Sequence, residues 1–302
     1  MDNTRFSPRI GHTNRMGKKR RILLAVLLVA VLGGLAWLMQ RRSEPVYHGK
    51  RFSYWLKDLE HWDKNTNNAA LMAFHDMGTN AIPSLLEVLQ SRRGLTEQAL
   101  IKLDMDQSST FHHLYEDPWE KKMAASWALY AIGSNALPAL PVLTNMLFDS
   151  SETTPGAIAL AGIGSVGVPF LLAALTNQNH WVIRCAAAES LGWERSNLES
   201  VVPALIKRLH DPDQYVRYSV ATSLGQLHTQ PDIVVPALMD DFSGNDTLLR
   251  AKVLDALGQF GSQARAAIPM VVEALKDKNV SYNAAIAFKK IDPEAAAKAG
   301  VK

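Results

Sequence analysis

The middle of the chain repeats one pattern of apolar and polar positions about every 33 residues. The aligned copies are residues 182–192, 215–225 and 248–258. Apolar residues recur within each copy at helical spacing, as Val216, Val220 and Leu224 do. Every copy also carries an arginine and a glycine at fixed places: Arg184, Arg217 and Arg250, then Gly192, Gly225 and Gly258. A fixed period of this length predicts a stacked array of helical units.

A second kind of apolar segment, which begins at a proline, alternates with these copies and occurs four times, from Pro169 onward. Its apolar positions are the second and sixth residues after that proline: Leu171 and Leu175, Leu205 and Leu209, Leu238 and Phe242, Val271 and Leu275. Proline suits the first turn of a helix, where its missing N–H costs nothing. The glycine before it suits a helix end that needs a left-handed residue. Each unit is therefore predicted to be a helical hairpin that buries its apolar face by stacking on its neighbours.

The unit that runs from Asp211 through Val216-Arg217 and Leu224-Gly225 to Pro236 resembles a HEAT repeat. The resemblance is to the short form that is also seen in phycobilisome-lyase-like proteins. It implies an all-α, right-handed α-solenoid, here of about six HEAT-like helical hairpins. It also implies that aspartate and arginine side chains bond along the stack as a structural ladder, which assigns that role to Arg184, Arg217, Arg250 and Asp211.

Residues 22–39 form an uncharged apolar run that is long enough to cross a bilayer as a transmembrane helix. Seven Lys/Arg precede the run and four follow it within a dozen residues, which predicts a cytoplasmic N-terminus. We therefore expect a basic cytoplasmic tail at 1–21, a linker at 40–51 and a solenoid at 52–302. The solenoid would lie outside the cytoplasm, in the periplasm of a single-pass inner-membrane protein. A cleaved signal peptide is the alternative, which the length of the run and Trp37 disfavour.

The array is interrupted once and begins with an aromatic helix. Pro83 and Pro141 are 58 residues apart, against 28 to 34 for the later prolines, which predicts an insertion near 90–122. Its aromatic residues, Phe111, Tyr115 and Trp119, suit a partner interface, although a loop packed on its own repeat remains open. Residues 52–62 read as a helix with Trp55 and Trp62 on one face. That helix either caps the first repeat or lies at the membrane surface.

Charge and motifs exclude several classes of function. Residues 1–51 carry eleven Lys/Arg and two acidic residues (+9), and the other 251 carry 21 against 27 (−6). An acidic body does not suit nucleic acid. Cys185, the only cysteine, is expected to be a small buried residue. His112 and His113 lack metal-ligand spacing, so no metal is expected. Phosphate-loop, nucleophile-elbow and dinucleotide motifs are absent, and no cofactor is expected.

These observations favour a membrane-anchored, non-catalytic HEAT-repeat scaffold that binds a protein partner. The alternative is a bilin lyase-like HEAT enzyme or accessory subunit, which only the resemblance supports and which requires a cytoplasmic body. The fourth residue after each proline should point outward: Glu87, Asn145, Ala173, Lys207, Asp240 and Glu273. HEAT-like stacks turn their second helices to the concave side, so this row should line a groove. The groove would have a small centre at Ala173 and Ala174 and an acidic end at Asp240, Asp241 and Glu273, unless the row is an ordinary solvated face.

Overall fold

The computed structural model describes residues 28, 31, 44–60, 64–91, 118–242 and 244–301. The chain divides into two units, Met1–Glu44 and Pro45–Lys302. Most of the predicted transmembrane helix and most of the predicted insertion lie outside the described residues, as do Phe111, Tyr115, His112, His113 and Trp62. Among the residues that are described, no helix is long and apolar enough to cross a bilayer.

The described part of the second unit is helical apart from one short hairpin. Strand β1 (Val46–Tyr47) pairs antiparallel with β2 (Lys50–Arg51), so the end of the predicted linker is folded. The helices are α1 Phe52–Glu60, α2 Lys64–Met77, α3 Ile82–Gln90, α4 Pro118–Ile132, α5 Leu140–Leu147, α6 Thr153–Ile163, α7 Val168–Leu175, α8 Trp181–Leu191, α9 Leu198–Ile206, α10 Gln214–Leu227, α11 Pro231–Asp241, α12 Thr247–Phe260, α13 Ile268–Ala274, α14 Ser281–Ile291 and α15 Pro293–Lys298. The all-α prediction is confirmed for these residues, while the number of hairpins and the hand of the solenoid stay predictions.

The even-numbered helices from α2 to α14 are the first helices of the repeats, and the odd-numbered ones from α3 to α13 are the second helices. Successive first helices pack directly on one another, whereas successive second helices make few contacts. Val216, Val220 and Leu224 of α10 are fully buried, which confirms the predicted helical register. The groove that was expected along the second helices stays a prediction.

The periodic glycines have a different role from the predicted one. Gly225 and Gly258 lie inside α10 and α12, and neither they nor Gly192 has a positive φ. A Cβ added to Gly225 would lie 2.8 Å from the Cα of Ala256 on the next first helix. These glycines therefore allow neighbouring first helices to touch. Glycines with a positive φ follow first helices at Gly78, Gly133 and Gly164 in the earlier units and at Gly261, directly after α12.

The periodic prolines follow the prediction in the outer units and depart from it in the centre. Four of them lie in the first turn of a second helix: Pro83, Pro141, Pro169 and Pro269. Pro203 and Pro236 lie inside their helices, because α9 and α11 begin earlier, at Leu198 and Pro231. The second helices of the two central units are therefore extended at their N-terminal ends.

Helix α1 closes the described N-terminal end of the array. It packs against α2 and α4, and its apolar residues Phe52, Trp55 and Leu59 are buried. The ring of Phe52 meets that of Phe74 on α2 edge to face, with 5.5 Å between the centroids. Trp55 donates a hydrogen bond from Nε1 to the carbonyl of Tyr47 in β1, at 3.3 Å. These contacts agree with the cap interpretation of α1, because Trp55 faces protein.

Candidate functional site

The predicted ladder residues are engaged with carboxylates. Arg184 donates from Nε and Nη2 to the two carboxylate oxygens of Asp211, both at 2.8 Å. Both side chains are buried, and Nη1 of Arg184 also donates to the carbonyl of Asn177 at 2.9 Å. A two-point pair of this kind is strong and fixes the orientation of both groups. It joins the first helix of one unit to the loop that precedes the next first helix.

The following rungs have the same connection but are more exposed. Arg217 lies 3.6 Å from Asp246, and Arg250 donates to Asp277 at 2.5 Å, each pair being about a quarter exposed. Each arginine thus reaches the aspartate of the following unit. The backbone N–H of Asn279 and the Arg250 guanidinium hold the pKa of Asp277 below its ordinary value. This geometry supports a structural role and leaves little guanidinium surface for an external anion.

The row of residues that was predicted to point outward on the second helices is exposed, but the two neighbouring residues that were expected to extend it are buried. Its six members all lie at exposed positions: Glu87, Asn145, Ala173, Lys207, Asp240 and Glu273. Ala174 and Asp241, which were expected to extend the row, are buried. The small centre therefore shrinks to Ala173, and the acidic end loses one carboxylate. Both corrections have one cause: the residue next to an exposed helical position is turned by about 100° toward the neighbouring helices.

Asp241 is instead a buried carboxylate with an incomplete set of partners. Its Oδ1 lies 3.6 Å from Nδ1 of His210, and its Oδ2 has no hydrogen-bond partner. Burial raises the pKa of Asp241, against the opposing effects of His210 and Arg217. Asp241 is therefore unavailable for a partner at the surface.

A cavity of about 490 Å³ lies between second helices α7 and α9. Its lining includes Lys207 from the predicted row, together with Arg208 and Glu199. Arg208 lies 3.6 Å from Asp211 and so belongs partly to the ladder. Trp119, the described member of the three aromatic residues predicted in the insertion, is exposed at the start of α4. The cavity does not include it.

The first helices carry a cluster of aromatic side chains that the sequence analysis did not single out. We call it the aromatic band; it consists of Trp127, Tyr130, Trp181, Trp193, Tyr215 and Tyr218. The rings of Trp181 and Tyr215 stack with centroids 5.2 Å apart, and those of Trp127 and Trp193 lie 5.1 Å apart. The chain has seven Trp and seven Tyr, so almost half of them lie on this one face. Such a concentration marks the face as a candidate interface.

Helix α6 allows Trp127 and Tyr130 of the band to contact Trp193. It lies between α4, which carries Trp127, and α8, which is followed by Trp193. Its residues are mostly small, and a Cβ added to Gly162 would lie 2.2 Å from the Cα of Tyr130. Because no large side chain of α6 lies between them, the rings of Trp127 and Trp193, which are 66 residues apart in sequence, come into contact. At the far end of the band, Tyr218 donates a hydrogen bond at 2.8 Å to the carboxylate of Asp246, which also pairs with Arg217 of the ladder.

A cavity of about 420 Å³ opens in the face of α8 and α10, between the aromatic rings. One wall is a row of residues four apart in sequence: Trp181, Cys185, Glu189 and Trp193. The opposite side comes from α10, with Lys252 of α12 at the edge: Tyr215, Tyr218, Ser219, Thr222, Ser223 and Gln226. Aromatic rings thus stand at both ends of the α8 wall, and polar side chains lie between them.

The polar floor is hydrogen-bonded but does not carry a nucleophile. Ser219 donates to Oε1 of Glu189 at 2.9 Å and lies 3.1 Å from Sγ of Cys185. Burial raises the pKa of the Cys185 thiol to about 11, so it is protonated at neutral pH and unreactive. Cys185 is half-buried at the cavity, whereas a small buried residue was expected. In the described ranges no group of His, Cys, Asp and Glu side chains is arranged to hold a metal ion.

One sequence signal pointed to the band and was missed. Tyr215 and Leu248 occupy the same place in successive repeats, directly before the core residues Val216 and Leu249, and Trp181 lies one residue before the corresponding place in its own repeat. Trp181, Tyr215, Leu248 and Tyr282 all lie near the start of a first helix, and all four side chains are exposed. Large apolar residues that recur at the exposed starts of the first helices are the signal that indicated the band.

Residues 168–243 match the sequence family described as HEAT repeats. Two solved structures of engineered proteins, both structural-genomics targets, are also similar to this chain. One is 22% identical with a TM-score of 0.41, over 82% of this chain and 71% of its own. The other is 19% identical with a TM-score of 0.38, over 80% and 96%. No curated protein matches. The matched range runs from α7 to α11 and includes most of the residues that line the cavity on α8 and α10.

Proposed function

We propose that this protein is a membrane-anchored HEAT-repeat scaffold that binds a protein partner through the aromatic band. Stacked helical repeats offer extended surfaces of this kind and commonly serve recognition. The proposal transfers the binding role from the second helices and the insertion to the face of the first helices. The bilin lyase-like subtype remains an expectation from the resemblance, and no contact in the described residues favours it.

One observation carries this proposal: large aromatic side chains on the first helices that are partly exposed around a cavity. Trp181 is 41% exposed and Tyr215 is 50% exposed. Exposed aromatic surface is costly in water unless a partner covers it, and Trp and Tyr dominate the binding energy of many interfaces. The cavity between these rings is a depression into which a partner can insert side chains. The protonated Cys185 thiol supports a binding role over covalent catalysis.

The membrane anchor and the periplasmic location are part of the proposal and are supported by residues 22–39 and the flanking charges. We expect the full-length protein to stay with membranes after carbonate and high-salt washes. An alkaline phosphatase fusion after Lys302 should be active. Recovery of a soluble species that begins near Trp37 would indicate a cleaved signal peptide, and an inactive fusion would reverse the topology.

The binding role is tested by capture with the full-length protein in detergent from solubilised membrane and periplasmic fractions. We expect Trp181→Ala combined with Tyr215→Ala to abolish capture of the proteins that the wild type retains. Tyr282→Ala is the matched control, because this tyrosine is 76% exposed but lies outside the cavity. Capture that survives the double substitution, with helicity unchanged, would exclude the band. A Trp119→Ala arm then tests the edge of the insertion.

A further inference from the structure

We infer that the cavity on α8 and α10 binds an extended, proline-containing segment that places an arginine or lysine beside Glu189. The inference rests on the proposed function, because it specifies the chemistry of the partner. It follows from three features of the cavity: the spacing of its aromatic ends, its polar floor and its charges.

The spacing of the aromatic ends fits a short polyproline II segment. From Trp181 to Leu191, helix α8 spans about 15 Å, and Trp193 stands just beyond its end. Five or six residues in the polyproline II conformation, at about 3.1 Å each, cover the same distance. Proline rings dock on exposed Trp and Tyr faces, and a preformed extended conformation loses little entropy on binding. The stacked pair Trp181 and Tyr215 provides one such platform, and Trp193 provides the other.

The polar floor favours an extended backbone over a helix. A helix satisfies its own N–H and C=O groups and needs an apolar groove, whereas this floor contains Glu189, Thr222 and Gln226. An extended segment has no internal hydrogen bonds and must find partners for its backbone groups. Thr222 donates its hydroxyl to the carbonyl of Tyr218 at 2.9 Å, so the oxygen can still accept from a ligand N–H. The exposed Gln226 amide offers both a donor and an acceptor.

The charges in the cavity define where a cationic side chain would lie. Within the described part of the chain, no Lys, Arg or His forms an ion pair with Glu189. A cation beside this carboxylate also lies near Trp193, one helical turn away, and gains from the face of its ring. Arginine suits the place best, since its planar group stacks and pairs at once. Lys252, on the α12 side, disfavours a second cation there and so orients the segment.

The test uses the full-length protein in lipid nanodiscs and a fluorescein-labelled peptide of sequence PPRPPRPP, titrated by fluorescence anisotropy. We expect saturable binding that Glu189→Gln and Trp193→Ala each weaken about tenfold. Lys252→Met should strengthen binding, which a folding defect would not do. Glu273→Gln is the matched control, because this exposed carboxylate on α13 pairs with Lys276 outside the cavity and should leave affinity unchanged.

Three further probes separate the alternatives. PPEPPEPP should bind weakly if the Glu189 charge matters, and GGRGGRGG should bind weakly if the extended conformation matters; equal binding of either peptide overturns the inference. Binding of tetra-N-acetylchitotetraose in place of PPRPPRPP would overturn it in favour of a glycan. If PPRPPRPP fails to bind while protein capture still requires Trp181 and Tyr215, the scaffold function stands and this partner chemistry is wrong. If both fail, the aromatic band is not the binding surface.

Discussion

The two faces of this repeat array use the same 33-residue period for different purposes. On the first-helix face, neighbouring helices touch, and side chains from successive units build joint structures such as the Trp181–Tyr215 stack. On the second-helix face, neighbouring helices make few contacts, and the exposed row is mixed in charge. Close helix packing is therefore what allows a repeat protein to assemble one site from several units.

The cause of the difference lies in the residues at the contact positions. The first helices meet through glycine, alanine and serine, as Gly225 does against Ala256. Ser223 even donates a hydrogen bond to the carbonyl of Ala188 on the preceding first helix, at 2.8 Å. The second helices bury leucine and valine against the first helices of their own units, which leaves space between α7 and α9. Four predictions test this comparison, from the largest expected effect to the smallest.

The buried rung of the ladder should give the largest effect. Asp211→Ala leaves the Arg184 guanidinium buried without its carboxylate, which typically costs about 3–5 kcal/mol. Asp277→Ala removes the equivalent carboxylate from a more exposed rung, where water screens the charge, and should cost much less. Urea unfolding followed by circular dichroism compares the two free energies. Similar losses in both variants would mean that burial does not distinguish the rungs.

The glycine contact should give the next largest effect. Gly225→Ala would gain about 0.5–1 kcal/mol from helix propensity alone. We expect a net loss of about 1–3 kcal/mol instead, because the new methyl group would lie 2.8 Å from the Cα of Ala256. Gly244→Ala is the control, since the nearest atom to its Cβ is 4.0 Å away. A rise in the melting temperature of the Gly225 variant would show that the first helices do not need this close approach.

Much of the fold could be predicted from the sequence, because the core positions repeat with the period of the helices. The roles of the glycines could not. A glycine at a helix end and a glycine at a helix contact are preceded by the same apolar pattern. In α10 the helix continues past Gly225 and ends before His228, which takes the left-handed conformation itself. Only the packing of the next first helix decides whether the helix stops at the glycine or continues.

The candidate site was less predictable, and the reason is geometric. Outward positions can be read from helical spacing, and the exposed row on the second helices was correct at all six places. The sequence does not show whether outward residues of successive repeats come into contact on the first helices or on the second helices. Trp127 contacts Trp193 because the residues of α6 between them are small. These small residues are visible in the sequence, but their effect follows only from the stacking of α4, α6 and α8.

Asp241 gives a third, smaller effect that depends on pH. Burial raises its pKa above the ordinary value, so the ionised form is destabilising in the folded protein. This cost is absent when Asp241 is protonated in both states and appears as the pH rises above its ordinary pKa. Asp241→Asn should therefore stabilise the protein by about 1 kcal/mol at pH 7 and have little effect near pH 3. Thermal unfolding at both pH values measures this, and a variant that is less stable at pH 7 would contradict it.

The smallest effect is expected on the second-helix face, where a charge exchange tests whether the partner binds the groove that the sequence predicts there. Lys207→Glu combined with Asp240→Lys reverses two exposed charges of the row and keeps the net charge constant. Stability should change by less than about 0.5 kcal/mol, as is usual for surface substitutions. Capture of protein partners and binding of PPRPPRPP should stay within about twofold of wild type, because neither residue lines the cavity on α8 and α10. Lys207 does line the cavity between α7 and α9, so the exchange also probes that site. A loss of capture together with unchanged peptide binding would show that the protein partner binds the second helices and not the aromatic band.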